Sequence, residues 1–324
     1  MSRLWYCLIT VVASALSLLT AADASAASYP DRPIRWIVGY PPGGTTDIVA
    51  RVVGQFLSEH LGQQVIIDNR PGAGNNIATE LVLKSPPDGY TVLLVNPANA
   101  INATLYPRLN FNFLADWTPI AGIIRVPNVM EVNPAVPVKT VAEFIAYAKA
   151  NPGKVNMASS GSGTSVHLSG ELFKSMTGVD MTHIPYKGAA PALTDLIAGQ
   201  VQVLFDNLPS SIAHIKSGEL RALGVTTLKP SAALPGVPPI ADTVPGYEAS
   251  AWFGMGGPKG MPTEIVDRLN QTINAAIADP TTKARLADLG GDPIPGTPAE
   301  FGALQAAETA KWSKVVKDSG AHVD

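Results

Sequence analysis

The sequence holds one cysteine in 324 residues, Cys7. It stands near the start of an N-terminal apolar run, so everything beyond that run has no thiol for a disulfide, a nucleophile or a thiolate metal site. Its place at the start of the run, not after it, also argues against a lipid anchor. Charge is scarce: Asp, Glu, Lys and Arg make up 15% of the chain, against about 25% in an average soluble domain. The formal net charge of −3 gives no basic excess, so a nucleic-acid partner is not expected. Long apolar runs are missing after the N-terminus. Each is broken by Gly, Pro or a charge within about 10 residues, where a spanning helix needs about 20. The histidines His60, His167, His183, His214 and His322 show no spacing suited to a metal, and no cofactor is expected. No internal repeat or low-complexity tract is present.

What is present begins with Arg3, an apolar run from Leu4 to Leu19, and small residues ending Ala24-Ser25-Ala26. A basic start, a short apolar core and an A-x-A end have the form of a secretory signal peptide. Cleavage is expected after Ala26, with export to a bacterial periplasm and no membrane insertion of the mature chain. About 300 residues bury enough core to fold without disulfide staples. The 29 glycines and 28 prolines fit tight strand-to-helix turns.

Beyond residue 33 the pattern alternates. Strands are expected at 34–40, 64–68 and 91–95, with helices at 46–61 and 76–84. Ile48, Val49, Val52, Val53, Phe56 and Leu57 recur at helical spacing, and Gly62 ends that helix. A Pro- and Asn-rich section covers 96–119, and two extended segments follow at 120–125 and 129–133. The alternation then restarts: helices at 140–150, 164–176 and 190–198, strands at 155–159, 181–186, 201–206 and 221–227. Thr140 and Glu143 read as a capping box. A Pro-rich connection at 230–245 leads to a strand at 249–255 and helices at 262–278, 283–289 and 298–317.

One alternation interrupted by another predicts an α/β protein of two lobes. Each lobe is a mainly parallel sheet flanked by helices, with a ligand cleft between them. Lobe 1 is expected to hold residues 27–127 plus 228–324, and lobe 2 residues 128–227. The crossings near 120–127 and 221–228 would form a hinge. A monomer is expected.

In open α/β sheets ligands bind beyond the carboxyl ends of the strands, so the strand-to-helix turns carry the functional reading. The first is Tyr40-Pro41-Pro42-Gly43-Gly44-Thr45-Thr46-Asp47. Its glycines let backbone amides approach a ligand, and its threonine hydroxyls sit at a helix N-terminus, which favours an anion. Asp47 has two readings, a ligand contact or a partner for Arg51 one turn on. The second turn is Ser159-Ser160-Gly161-Ser162-Gly163-Thr164-Ser165, expected in the other lobe, with His167 one turn into its helix. Two facing helix starts would clamp a di- or tricarboxylate, an aromatic acid or an amino acid. Tyr186, Lys187, Asp206 and Asn207 in lobe 2, and Asn96 and Asn99 in lobe 1, close further strand ends and are candidate polar walls.

The run Pro41–Arg51, PPGGTTDIVAR, resembles the signature of the Bug family, the solute receptors of tripartite tricarboxylate transporters. Asn69–Gly74, Ser85–Tyr90, Gly163-Thr164 with His167, Leu168 and Glu171, Tyr186-Lys187-Gly188, and Ala222–Thr226 continue the resemblance in order over nearly the whole chain after residue 26. It implies a periplasmic receptor that closes on a carboxylate and passes it to membrane transporter subunits. It also implies ligand contacts at Tyr40, Gly44, Thr45, Thr46, Asp47, Ser160, Gly161, Gly163, Thr164, His167 and Asp206. The chain departs from the family at Tyr40, where Phe is common, and at Asn75-Asn76, which replace a more glycine-rich stretch.

The enzyme alternative is an α/β serine hydrolase using a turn serine with His167 or His183 and Asp195 or Asp206. Residues 159–165 do not form the G-x-S-x-G elbow that exposes such a nucleophile. A dinucleotide site fails too: after Gly72 and Gly74 the third glycine position is Ile77.

Overall fold

The computed structural model describes residues 29–323. The expected signal segment and Cys7 lie outside them. The strands are β1 (Ile34–Val38), β2 (Val65–Asn69), β3 (Thr91–Val95), β4 (Trp117–Val132), β5 (Val155–Ser159), β6 (Met181–Pro185), β7 (Val203–Asn207), β8 (Arg221–Val225), β9 (Ser250–Pro258) and β10 (Asp292–Pro293). The order is β2-β1-β3-β9-β4-β7-β5-β6, with β8 and β10 also paired to β4. The outer strands run parallel: β1 with β2 and β3, β5 with β6 and β7. The joins through β4 and β9 are antiparallel.

The helices are α1 (Thr45–Leu61), α2 (Asn76–Leu83), α3 (Pro97–Leu105), α4 (Phe113–Asp116), α5 (Val141–Ala150), α6 (Ser165–Thr177), α7 (Ala189–Ile197), α8 (Leu208–Ser217), α9 (Thr263–Ala278), α10 (Pro280–Asp288) and α11 (Pro298–Ser319). Helices cover both faces of the inner parallel strands, which is why β3 and β7 are buried along most of their length. Trp36 packs with Val53, Leu57 and Ile273 on one face, while its neighbour Ile37 packs with Leu93 and Trp252 on the other. The same period of two splits Phe205, beside Phe144 and Phe173, from Leu204, beside Leu193 and Leu196.

Two local expectations change. The Pro- and Asn-rich section contains α3. Pro97 occupies its first turn, Asn96 accepts from Ala98 N–H, and Asn99 returns a bond to the Asn96 N–H. That is a capping box written with asparagines, so it lacks the usual Ser/Thr and Glu signature. The two extended segments at 120–125 and 129–133 are one strand, β4. Its register shifts between Pro119 and Ala121 and again between Gly122 and Ile124, which lets it pass a proline that has no N–H to donate. From Trp117 to Pro127 it pairs with β9; from Asn128 to Val132 it pairs with β7 and β8.

Candidate functional site

The carboxyl ends of β1, β3, β5, β6 and β7 each lead into a helix, and those five helix starts meet at one narrow cleft. Its free volume is about 30 Å³, and its walls include Thr45 and Thr46 of α1, Asn96 and Pro97 of α3, Thr164 and Ser165 of α6, Ala189 of α7 and Asn207 at the start of α8. Each helix start carries about half a positive charge together with unpaired N–H groups. The starts of α1, α7 and α8 have no side-chain cap, so no capping side chain stands between them and a ligand. The sequence reading anticipated two of these starts; those of α3, α7 and α8 complete the set.

Tyr40, Pro41 and Ser160 also border a wider groove of about 500 Å³, walled further by Gly72, Gly161, Tyr186 and Lys187. Neither cavity has an Asp or Glu in its lining, and Lys187 is the single basic lining residue. Tyr186 donates to Asp195 at 2.6 Å. Burial, and the Asp195 carboxylate beside it, push its phenol up to about 12. Burial likewise pushes the Tyr40 phenol up, so both remain neutral donors.

The polar wall is held by its own hydrogen bonds. Asn207 Nδ2 donates to Asn128 Oδ1 at 2.7 Å and to Ser165 Oγ at 3.1 Å. Thr164 accepts from His167 N–H and donates to Gly161 O at 2.7 Å. Asn96 is 4% exposed. Its oxygen caps α3, but its Nδ2 has no protein partner, which leaves two N–H donors beside the cleft. Gly163 adopts φ +83, and a Cβ there would lie 2.2 Å from Asn102 Oδ1 on α3. Only glycine allows that approach.

Several expected site residues stand behind the wall. Asp47 receives Gly43 N–H, Arg51 and Asn69. Burial alone would raise its carboxyl, but the hydrogen bonds from Arg51, Gly43 and Asn69 prevail and lower it. It braces the first turn, in line with the Arg51 reading. Asn99 accepts from Asn96 N–H and Asn75 and donates to Thr79. Asn75, one of the departures from the family pattern, holds φ +81 there.

Ser159 is fully buried, and its Oγ lies 2.6 Å from His183 Nε2. Buried in this way, it is closed to a substrate carbonyl. His167 accepts Gly163 N–H at Nδ1 and stacks on His183 with centroids 3.9 Å apart. Burial, then the neighbouring His183, Lys174 and His322, hold His167 well below the usual imidazole value. Burial and Lys174 bring His183 down to about 4. The pair borders a separate pocket with Glu171, Lys174 and the 319–323 tail, not the cleft. Asp206 is 1% exposed, behind Ser210 and Ser211. Pro97, Ala189 and Phe253 line the cleft without having been expected there. Phe253 reads in sequence as an ordinary core residue of a strand.

Comparisons with known proteins identify the family. Residues 49–321 match the family described as the tripartite tricarboxylate transporter family receptor. Protein BugT of Bordetella pertussis (strain Tohama I) is 39% identical over 304 residues, 93% of this chain and 93% of that one. The structure of R. palustris Rpa4515 with adipate is 43% identical, with a TM-score of 0.88, over 90% of this chain and 98% of that chain. MatC (Rpa3494) from Rhodopseudomonas palustris with bound malate is 29% identical, with a TM-score of 0.85, over 89% and 100%. The chain belongs to the tripartite tricarboxylate transporter receptor family.

Proposed function

We propose that this receptor holds a small carboxylate in the narrow cleft and delivers it to the membrane subunits of a tripartite tricarboxylate-type transporter. The observation that carries the reading is the convergence of five helix N-termini on a cavity whose lining has no acidic side chain. Such a site replaces the hydration of a carboxylate with fixed N–H dipoles and hydroxyls, and repels no negative charge. Relatives solved with adipate and with malate support the acid class. A second carboxylate would extend into the wider groove, past Tyr186 toward Lys187.

Residues 27–127 with 228–324 form one lobe in this reading, and 128–227 the other. The protein works as a monomer, exported to the periplasm by residues 1–26. Family membership supports export, and among the described residues no helix is long and apolar enough to cross a membrane. Closure about the crossing segments would bring the α1 and α6 starts onto the ligand.

The test is a thermal-shift series on residues 27–324 with adipate, malate, tricarboxylates, aromatic acids, nicotinate and acidic amino acids, against neutral sugars and amides. A ligand that prefers the folded state raises the Tm by mass action. The expected result is a rise of several degrees for one acid class, with the acid recovered chemically intact. Shifts with neutral compounds alone would overturn the reading, and conversion of the acid would make the protein an enzyme.

A further inference from the structure

A line of hydrogen-bonding groups runs from the core to the cleft. Glu131 on β4 is fully buried; its Oε1 receives Ser211 Oγ at 2.7 Å, and its Oε2 has no partner. Ser211 Oγ is also 2.9 Å from Asp206 Oδ2. That oxygen is 2.5 Å from Ser210 Oγ, which lies 3.2 Å from Thr45 Oγ1 in the cleft wall. Thr45 is on α1 and Ser210 on α8, so the last bond joins two elements that face each other across the site.

We propose that Asp206 is a positioning residue that acts through Ser210 on Thr45, so that binding of a carboxylate is accompanied by uptake of one proton at Asp206. The inference rests on the receptor reading above. A hydroxyl has one proton. When Asp206 is ionised, Ser210 donates to it and can only accept from Thr45. Thr45 then shows lone pairs to the cleft, the wrong polarity for a carboxylate. When Asp206 is protonated, its O–H donates to Ser210, whose own proton turns to Asn207 O at 2.9 Å or to Thr45; Ser210 then draws no proton from Thr45, and Thr45 turns its proton to the ligand. One proton arrives from solvent and bonds to Asp206; the other steps are rotations of hydroxyl protons, and no other bond changes. The ligand's own charge works in the same direction, because a nearby anion disfavours ionised Asp206.

The free protein is poised for this exchange. Burial raises Asp206 to about 6, against the hydrogen bonds from Ser210, Ser211 and Asn207 and the pull of His214. Glu131 is pushed well above the carboxylate range by burial and by Asp206. Of the elements packed against β7, β4 presents Glu131, and α8 presents His214, which is already paired with Glu219. The α7 acid, Asp195, is engaged by Tyr186, while His167, Glu171 and Lys174 of α6 border the separate pocket. No residue of β5 is titratable.

The test is isothermal titration of the chain with adipate, or with the acid of the series above that raises the Tm most. It is run in two buffers of different ionisation enthalpy, between about pH 6 and pH 8. The expected result is uptake of a large fraction of one proton near neutral pH, with affinity rising about three- to tenfold as pH falls across that range. Asp206→Asn, whose amide can donate to Ser210 at any pH, should bind without proton uptake and with flat pH dependence. Ser210→Ala keeps Asp206 but cuts the line, and should take up less proton than the wild type. Binding with no uptake in the wild type, or undiminished uptake in Ser210→Ala, overturns the relay alone. If no acid in the series binds, the receptor reading falls and the relay with it.

Discussion

Asn128 and Thr226 tie together the two segments that cross between the halves of the sheet. Asn128 N–H donates to Thr226 Oγ1 at 2.8 Å, and Thr226 N–H donates to Asn128 O at 2.9 Å. The Thr226 hydroxyl returns a bond to the same carbonyl at 3.1 Å, and both residues are fully buried. Thr226→Val keeps the shape but leaves Asn128 N–H unsatisfied. The expected loss is about 1–3 kcal/mol, read as a lower urea midpoint at unchanged m-value.

Asn96→Asp separates binding from folding. Aspartate still caps α3 at a helix start that tolerates negative charge, so the Tm without ligand should change little. The two Nδ2 donors are lost and a like charge takes their place, so the carboxylate-induced Tm rise should disappear. A retained rise would mean that Asn96 does not face the ligand.

Gly163→Ala demands φ +83 of a residue with a side chain and drives a Cβ toward Asn102 Oδ1. Strain and displacement together should cost about 1–3 kcal/mol. Because the displaced turn carries Thr164 and Ser165, ligand affinity measured by calorimetry should fall as well.

Stability against pH should show opposed contributions, with His183 and Asp206 among them. His183 falls from 6.5 to about 4 on folding, so its contribution is complete above 6.5 and is lost as pH drops toward 4, up to about 3 kcal/mol. Asp206 rises from 3.8 to about 6. The folded state therefore binds the extra proton between those values, and this group's penalty, about 3 kcal/mol at most, is fully present above pH 6. Urea unfolding of Asp206→Asn should show it more stable than the wild type near pH 8 and no better near pH 4. His183→Gln should soften the acid-side decline, with His167, also held low by burial, keeping the rest.

Lys187 is an exposed cation at the wider groove. An exposed charge contributes only about 0.2–1 kcal/mol. Lys187→Ala should weaken a dicarboxylate by no more than about fivefold, with the difference vanishing at high salt. A monocarboxylate should be unaffected.

Most of the elements were legible in the sequence because their signals are local. The repeat of Val49, Val53 and Leu57 marks α1, and Gly62 and Gly178 end α1 and α6 in left-handed turns. The Pro41–Asp47 turn carried the anion reading for the same reason: Gly-Gly followed by Thr-Thr at a helix start has a chemistry that needs no distant partner. Helix α3 was missed because its caps are asparagines beside a proline, which read as loop. His167 follows the second turn directly, yet it borders another pocket, since its direction is set by stacking on His183 from a different strand.

By itself, the sequence determined the alternation of strands and helices, the apolar faces that force two-sided burial, and the two glycine turns, all of which follow from contacts within a few residues. The tertiary structure decided that five helix starts meet at one cleft, that Asp206 lies behind Ser210 and not in the wall, and that Thr45 reaches across to that serine. Those relationships depend on strand order and on the register of β4, which bring together residues as much as 165 positions apart; no local pattern encodes a distance of that kind.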